Sequence, residues 1–475
     1  MASLQSLLLG KLDYVYVTAT RRSRFFSHGW GEESIEQAHR LVETLERQGT
    51  EETFPDIDRL IPADADQASN VDEDIEPEDD GIEFAHASEA DACSISTSSS
   101  AGSDSSPDQK MKEGHNDDDN DDDDDDDDNN ESKGSYEAQT WSFVSPCADF
   151  LPKESQTARV LVVSPPRTVQ ARGVLILVAG TGEVSFWRRK KFIAKPLAAK
   201  GFVSIILESV FYGSRAPVTQ KRYFWRTVGD YLLHMPVTVV EVAKLAKYAK
   251  QTYPGLPIGL VGSSLGGSMA AGALPSVMRE FQSLDKESPQ EQRGRLEETP
   301  ITLCTFLPPS RTASILSSAI AYFIDFRALQ RDGAGLRTIK EVRERILHLC
   351  ESHQLGRYFS LLPESEYKRT AFTCFRGRHD NYVRPNEVTL THGIIEPLVS
   401  SARLVDVSGG HVWNIMRTGK VVPPAVEEAF SRSCADYPNP MKTIPVFHET
   451  GSDLTDENEN CNVTNRDCPG PLCQV

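Results

Sequence analysis

The sequence predicts an α/β fold: a mostly parallel central sheet with helices on both faces, a helical lid insertion late in the chain and a long acidic insert near the N-terminus. Three observations carry this reading. Short apolar runs of strand length recur between residues 159 and 407 and alternate with stretches of helical spacing, the order of a sheet wound with crossover helices. One of these runs, 258–261, breaks into Gly262-Ser263-Ser264-Leu265-Gly266 and resumes as small residues, which reads as strand, sharp turn and tightly packed helix. Residues 117–128 are aspartates with a single asparagine among them, and a run of that kind repels itself and buries nothing.

Taken in order, residues 1–47 read as a helical packing arm, with Ile35, Ala38, Val42 and Leu45 at helical spacing. Between 48 and 135 the apolar periodicity disappears, which predicts a disordered acidic segment. Order is expected to return near Trp141 and to continue as one domain over 136–447. Its strands are expected at 159–163, at 174–178 (VLILV, wholly apolar and hence central), at 202–207, at 258–261, at 301–306, at 372–375 and at 403–407. Helical spacing appears at 190–200, in a long amphipathic stretch over 231–253, and at 423–433. Residues 308–370 interrupt the alternation with helical material, including the apolar stretch 313–326, and read as a lid. The polar tail 448–475 is expected to be disordered.

Hydrophobic residues make up 39% of the 475, enough for a sizeable core. The net charge of −20 misleads, because residues 51–131 alone hold 31 acidic side chains against three basic ones and leave the remainder positive. A basic folded part admits two readings, a solvated mixture of charges, which is the commoner, or steering toward an anionic membrane surface or an anionic substrate. Nothing in the spacing indicates nucleic acid, since no zinc pattern and no basic helix stand out. Nine cysteines without recurrent pairing suggest reduced thiols in an intracellular compartment. No apolar run reaches the roughly 18 residues of a membrane span. Residues 1–31 carry Leu7, Leu8 and Leu9, then Lys11, Arg21, Arg22 and Arg24, with Asp13 the only acid. The absence of a longer apolar stretch argues against a secretory signal and leaves a mitochondrial targeting or membrane-surface segment open.

A serine at the apex of a strand-to-helix turn needs neighbours without bulk two positions either side, and Gly262 and Gly266 flank Ser264 at that spacing. Its hydroxyl becomes a nucleophile only when a base removes the proton and a carboxylate orients the base. Asp380 follows the strand 372–375 in a loop ahead of Pro385, which reads as turn-forming. Glu387 and Asp406 are rivals, although Asp406 lies within a strand. His411 stands just past the last strand on Ser408-Gly409-Gly410, whose glycines let the backbone swing the imidazole over the sheet edge. His379 is the alternative base. The order Ser264, Asp380, His411 is that of an α/β-hydrolase fold. For the developing oxyanion the donors expected are the Leu265 amide and, from the turn Ala179-Gly180-Thr181-Gly182, the Thr181 amide with Gly182 as its substitute.

The segments LVAGTGEVSFWRRK, IILESVFYGSRAP, GLVGSSLGGSMA and VSGGH, with the opening KLDY and the later FFSHGWG, resemble the eukaryotic alpha/beta-hydrolase-domain protein eighteen group. The resemblance spans residues 1–31 and roughly 140–430; the segment 281–370 is less similar. It implies a lone hydrolase domain with Ser264, Asp380 and His411 as triad, acting on a lipid ester. Trp187, Arg188, Glu208, Tyr212 and Arg215 also belong to it and fall near the carboxyl edge of the sheet, where ligands bind. They admit two readings: an ion pair of Glu208 with Arg215 or Arg188 that pins a loop, or an arginine that holds a phosphate headgroup. The apolar run 313–324 reads as a core helix, the lining of an acyl tunnel or a face that dips into a membrane.

The expected activity is therefore hydrolysis of a lipid or phospholipid acyl ester through an acyl-enzyme, with no metal or organic cofactor and with peripheral membrane contact. Acyl transfer by the same triad and a non-catalytic hydrolase-fold scaffold are the alternatives.

Overall fold

The computed structural model describes residues 11, 13, 24–48, 54–57, 59–63, 136–221, 223–287, 299–359 and 370–435. The acidic run at 117–128 and the tail from 448 lie outside the described residues. Among the described residues one sheet holds nine strands: β1 Ile61–Pro62, β2 Glu137–Val144, β3 Thr157–Ser164, β4 Gly173–Val178, β5 Phe202–Leu207, β6 Ile258–Ser263, β7 Ile301–Phe306, β8 Thr370–Gly377 and β9 Ser401–Val407. Their spatial order is β1-β2-β3-β5-β4-β6-β7-β8-β9. From β5 to β9 all neighbours are parallel, while β1, β2 and β3 close the other side antiparallel. The mostly apolar runs take the middle, where every residue of β4, β5, β6 and β7 is buried.

Helices cover both faces. On one, α1 (Glu32–Gln48) packs on α2 (Val228–Thr252), and α2 on α3 (Leu265–Glu287), which lies along β6 and β7. The stripe Ile35, Ala38, Leu41, Val42 and Leu45 of α1 is buried in that stack. Thr227 caps α2 by accepting from the Asp230 amide at 3.0 Å. The lid region contributes α4 (Ile339–Glu351), and α5 (Pro385–Ile395) and α6 (His411–Met416) follow β8 and β9. On the opposite face α7 (Thr418–Ser433) packs against β7, β8 and the turns over Trp187–Ala198. Phe430 of α7 fills a hollow over the sheet that only glycines leave open. A Cβ on Gly173 or Gly259 would lie 2.5 or 2.7 Å from its ring.

Three expectations are corrected. Order does not stop at residue 48, because Phe54, Ile57 and Leu60 are buried and Asp56 sits between Lys244 and Lys247 at 2.8 and 2.6 Å. β2 falls at the start of the expected domain but was not among its expected strands, and its sequence conceals it: EAQTWSFV is largely exposed near the sheet margin and lacks an apolar run. The apolar run 313–326 is not one helix. It forms 3₁₀ turns at Thr312–Ser317 and Ala319–Phe323, with Ser318 extended between them and its hydroxyl accepting from the Ile320 amide. Such side-chain bonds to local backbone compete with helix. Among the described residues no helix is long and apolar enough to cross a membrane, and five cysteines there are unpaired.

Candidate active site

The nucleophile turn is shaped by what its neighbours lack. A Cβ on Gly262 would lie 2.2 Å from the Gly266 carbonyl oxygen, and one on Gly266 would lie 2.4 Å from that of Ala179. Strand and helix therefore meet with no room for a side chain at either position. Ser264 carries a φ of +52°, a strained value for a residue other than glycine. Its amide donates to the Phe306 carbonyl at 2.7 Å, and its own carbonyl accepts from Gly267 and Ser268 at 2.9 and 3.3 Å. The hydroxyl thus rides on a backbone fixed from both sides.

The ends of the neighbouring strands are laced to this turn. Leu307 after β7 donates to Phe375 of β8 at 3.0 Å, Arg378 after β8 to Val407 of β9 at 3.0 Å, and His379 to Gly409 at 3.2 Å. This brings the loops bearing Ser264, Asp380 and His411 to one carboxyl edge of the sheet, as the chain order predicts. Asp380 is buried; its Oδ1 accepts from the Tyr382 and Val383 amides at 2.8 and 2.7 Å, and its Oδ2 meets His411 Nδ1 at 2.7 Å. Gly409, at a φ of +94°, turns the chain into α6, which opens on His411. The imidazole stacks on Tyr382 with 5.3 Å between ring centres.

Burial alone would pull the His411 imidazole below its usual value. The Asp380 carboxylate, its hydrogen bond and the charge of Asp13 more than offset this and leave it raised, against a smaller opposing effect of Arg188. With Nδ1 held by Asp380, Nε2 is the nitrogen left for a serine proton. Among the described residues no hydrogen bond joins it to Ser264 Oγ, a distance that in unliganded sites often shortens only when substrate binds.

Two backbone donors flank the serine. The Leu265 amide opens α3, and among the described residues it is not taken by a backbone carbonyl. The turn after β4 abuts the nucleophile, since a Cβ on Gly180 would lie 2.9 Å from the Ser263 carbonyl and 3.7 Å from Ser264 Cβ. In that turn the Gly182 amide lies against the Tyr212 hydroxyl, while no backbone carbonyl among the described residues takes the Thr181 amide.

The remaining residues expected at the site divide. Trp187 and Arg188 are partly exposed, and Arg188 donates to the Ile415 carbonyl of α6 at 3.0 Å while its charge reaches His411. Glu208, Tyr212 and Arg215 are buried, as the candidate triad itself is. The expected pairing of the Glu208 carboxylate with Arg215 or Arg188 is replaced: Glu208 accepts from the Ser214 amide and hydroxyl, and Arg215 pairs with Glu241 at 2.6 Å. Arg215 instead donates to the Glu208 backbone carbonyl at 3.0 Å. Arg189, next to the rim, donates to the Leu177 and Leu207 carbonyls at 2.9 and 2.6 Å and ties β4 to β5.

The rival acids are engaged elsewhere, Glu387 with Arg311 and Ser310, Asp406 with Arg376. The residue that sequence reasoning passed over is Asp13, which is buried and accepts from the amides of Asn381, His411 and Val412. Its signal was slight: the only acid of the first 31 residues, within the KLDY that carries part of the resemblance.

Solved structures similar to the chain include esterase Est22, at 14% identity over 63% of this chain and 79% of that one, with a TM-score of 0.37. Brefeldin A esterase, a bacterial homologue of human hormone sensitive lipase, aligns at 15% identity over 64% and 76%, with a TM-score of 0.35. Pyrococcus horikoshii acylaminoacyl peptidase aligns at 13% identity over 65% of this chain and only 43% of its own, with a TM-score of 0.40. A family description, alpha/beta hydrolase domain containing 18, matches residues 23–284, a span that takes in the nucleophile turn and the loop after β4 and ends before Asp380. With more than half of its length matched, and with the sheet order and strand-to-helix turn described above, the chain belongs to the family alpha/beta hydrolase domain containing 18, of the alpha/beta hydrolase superfamily.

Proposed function

We propose that the protein is a serine hydrolase of carboxylic esters. Ser264 Oγ attacks the ester carbonyl as its proton passes to His411 Nε2, and the Leu265 and Thr181 amides take up the charge on the carbonyl oxygen. The imidazolium, held at Nδ1 by Asp380, returns the proton to the departing alcohol. Water, deprotonated by the same imidazole, then releases the acyl group from the serine. The single observation that carries this reading is the closed Asp380–His411 pair on loops laced to the strained Ser264 turn.

A lipid or phospholipid ester is the substrate class we favour. Arg188 at the rim offers a cation within electrostatic reach of His411, and the 3₁₀ turns of the lid present partly exposed Ile315 and Ile320 and exposed Tyr322. The Ala319 amide of that segment donates to Asn381 in the acid loop at 2.9 Å, which places the apolar rim beside the dyad. Peripheral contact with a membrane fits such a rim.

A fluorophosphonate probe tests the nucleophile. Wild-type protein is expected to label at Ser264 and the Ser264→Ala variant to remain unlabelled; equal labelling of the two removes the mechanism and leaves the scaffold reading. Lipid profiles of cells lacking the protein, beside cells carrying Ser264→Ala, then identify the ester: a lipid that accumulates in both is the substrate.

A further inference from the structure

Three loops meet at the candidate site, and one carboxylate from the far end of the chain touches two of them. Asp13 Oδ2 accepts from the Asn381 amide at 2.9 Å and from the His411 amide at 3.1 Å, and its Oδ1 accepts from the Val412 amide at 2.9 Å. Asn381 directly follows the acid, and His411 and Val412 are the first residues of the helix that carries the base. The side chain is fully buried, although an exposed carboxylate is the ordinary fate of an aspartate. We propose that Asp13 is a positioning residue of the triad: it clasps the loop bearing Asp380 to the first turn bearing His411 and holds a second negative charge beside the imidazole.

The arrangement is costly, and the cost separates it from an ordinary loop tie. Burial and the neighbouring Asp380 carboxylate both resist the ionised form of Asp13, and the three amides answer only in part, so that its carboxyl stands above the usual value. A neutral acceptor would fasten the same amides without placing two carboxylates together. What the charge adds is support for the imidazolium that forms when Ser264 loses its proton. The groups facing His411 are Asp380 from the loop after β8, Asp13 from the N-terminal arm, Arg188 from the turns after β4 and the Tyr382 ring; those facing Asp13 are Asp380 and His411. Two of the charges on His411 favour the imidazolium and one opposes it.

The inference rests on the hydrolase reading for its purpose, so the experiment has an arm that does not need catalysis. In protein labelled with nitrogen-15 at histidine, the titration of His411 is followed by NMR in wild type, Asp13→Asn and Asp13→Glu. Asparagine keeps the shape and removes the charge, and its NH₂ must face at least one of the three amides. Glutamate keeps the charge and displaces the oxygens by one methylene.

For Asp13→Asn the His411 midpoint is expected to move to lower pH, and the plateau rate of fluorophosphonate labelling at Ser264 to fall about tenfold or more, the scale of a misplaced base. For Asp13→Glu the midpoint is expected to remain closer to wild type while the rate still falls. Unchanged midpoints in Asp13→Asn overturn the proposal whatever the rate does, because a merely structural tie slows labelling without moving the titration. A midpoint is a property of the folded molecules alone, so a variant that folds in low yield still decides the question. If wild type fails to label at all, the hydrolase reading falls while the NMR arm still judges Asp13.

Discussion

At the scale of single residues, Asp380 is fixed more tightly than the acid of the proposed triad needs for charge alone. Its Oδ1 already accepts two amides, from Tyr382 and Val383, and this dictates what asparagine would do in its place. The carboxamide oxygen must stay with those amides, so the NH₂ faces His411 Nδ1 and forces the proton onto Nε2, the tautomer that cannot accept from serine. Asp380→Asn should therefore lower kcat by about 10⁴-fold. The pH profile adds a second reading. His411 is raised by Asp380, so the wild-type acid limb of kcat/KM should have its midpoint above 6.5, activity being lost as pH falls through it and the base becomes protonated. In Asp380→Asn that limb should move down, since a principal support of the imidazolium is gone. A wild-type limb below 6.5 would contradict the charge arrangement around the ring. Ser264, Asp380 and His411 were legible because each signal is local: glycines around a serine, an acid past a strand, a histidine after a glycine pair. Asp13 was not, because its bond to His411 spans 398 positions and nothing near it in sequence announces a partner.

Elements show the same division between local and distant causes. The central strands are readable since burial on both sides demands runs that are almost entirely apolar, unbroken in β4 and broken only by Ser204 in β5. β2 is not, because its residues are mostly exposed and its place comes from the register Ala138 to Val163 and Trp141 to Val160 with β3. α5 escaped for another reason: its start was visible only as Pro385, read as a turn, although proline suits the first helical position. The loop after β5 was expected to be pinned by Glu208, but the pin is the fully buried pair of Arg215 with Glu241 of α2, to which Ser145 also donates at 2.6 Å. Both partners lie out of solvent, so removing one charge leaves the other uncompensated. Glu241→Gln should cost about 3–5 kcal/mol in urea unfolding, whereas Glu241→Leu combined with Arg215→Met should cost clearly less than the two single changes together. Additive losses would show that the two side chains act independently.

Across the whole molecule, the sheet order explains how one domain accommodates the long acidic insert. β1 and β2 pair antiparallel, with Ile61 opposite Ser142 and Pro62 opposite Trp141, and the Ala63 amide donates to the Thr140 carbonyl at 3.2 Å. The chain leaves the sheet after β1 and returns to it in β2, and this antiparallel pair stands at the margin of the sheet, β1 five strands and β2 four from β6 and its Ser264 turn. Antiparallel partners can be joined by a short turn. Replacing residues 67–135 by a turn of about four residues containing Asn-Gly should keep the fold and leave Ser264 labelling within about twofold. Loop closure costs about 0.6 kcal/mol for each doubling of length, so shortening the connection should favour the β1–β2 pairing by about 2 kcal/mol. Hydrogen exchange at the Ala63 amide should slow accordingly. Faster exchange there, or a lower thermal midpoint, would mean that the insert holds residues 54–63 against the sheet, in place of the Asp56 bridges to Lys244 and Lys247 and the burial of Phe54, Ile57 and Leu60.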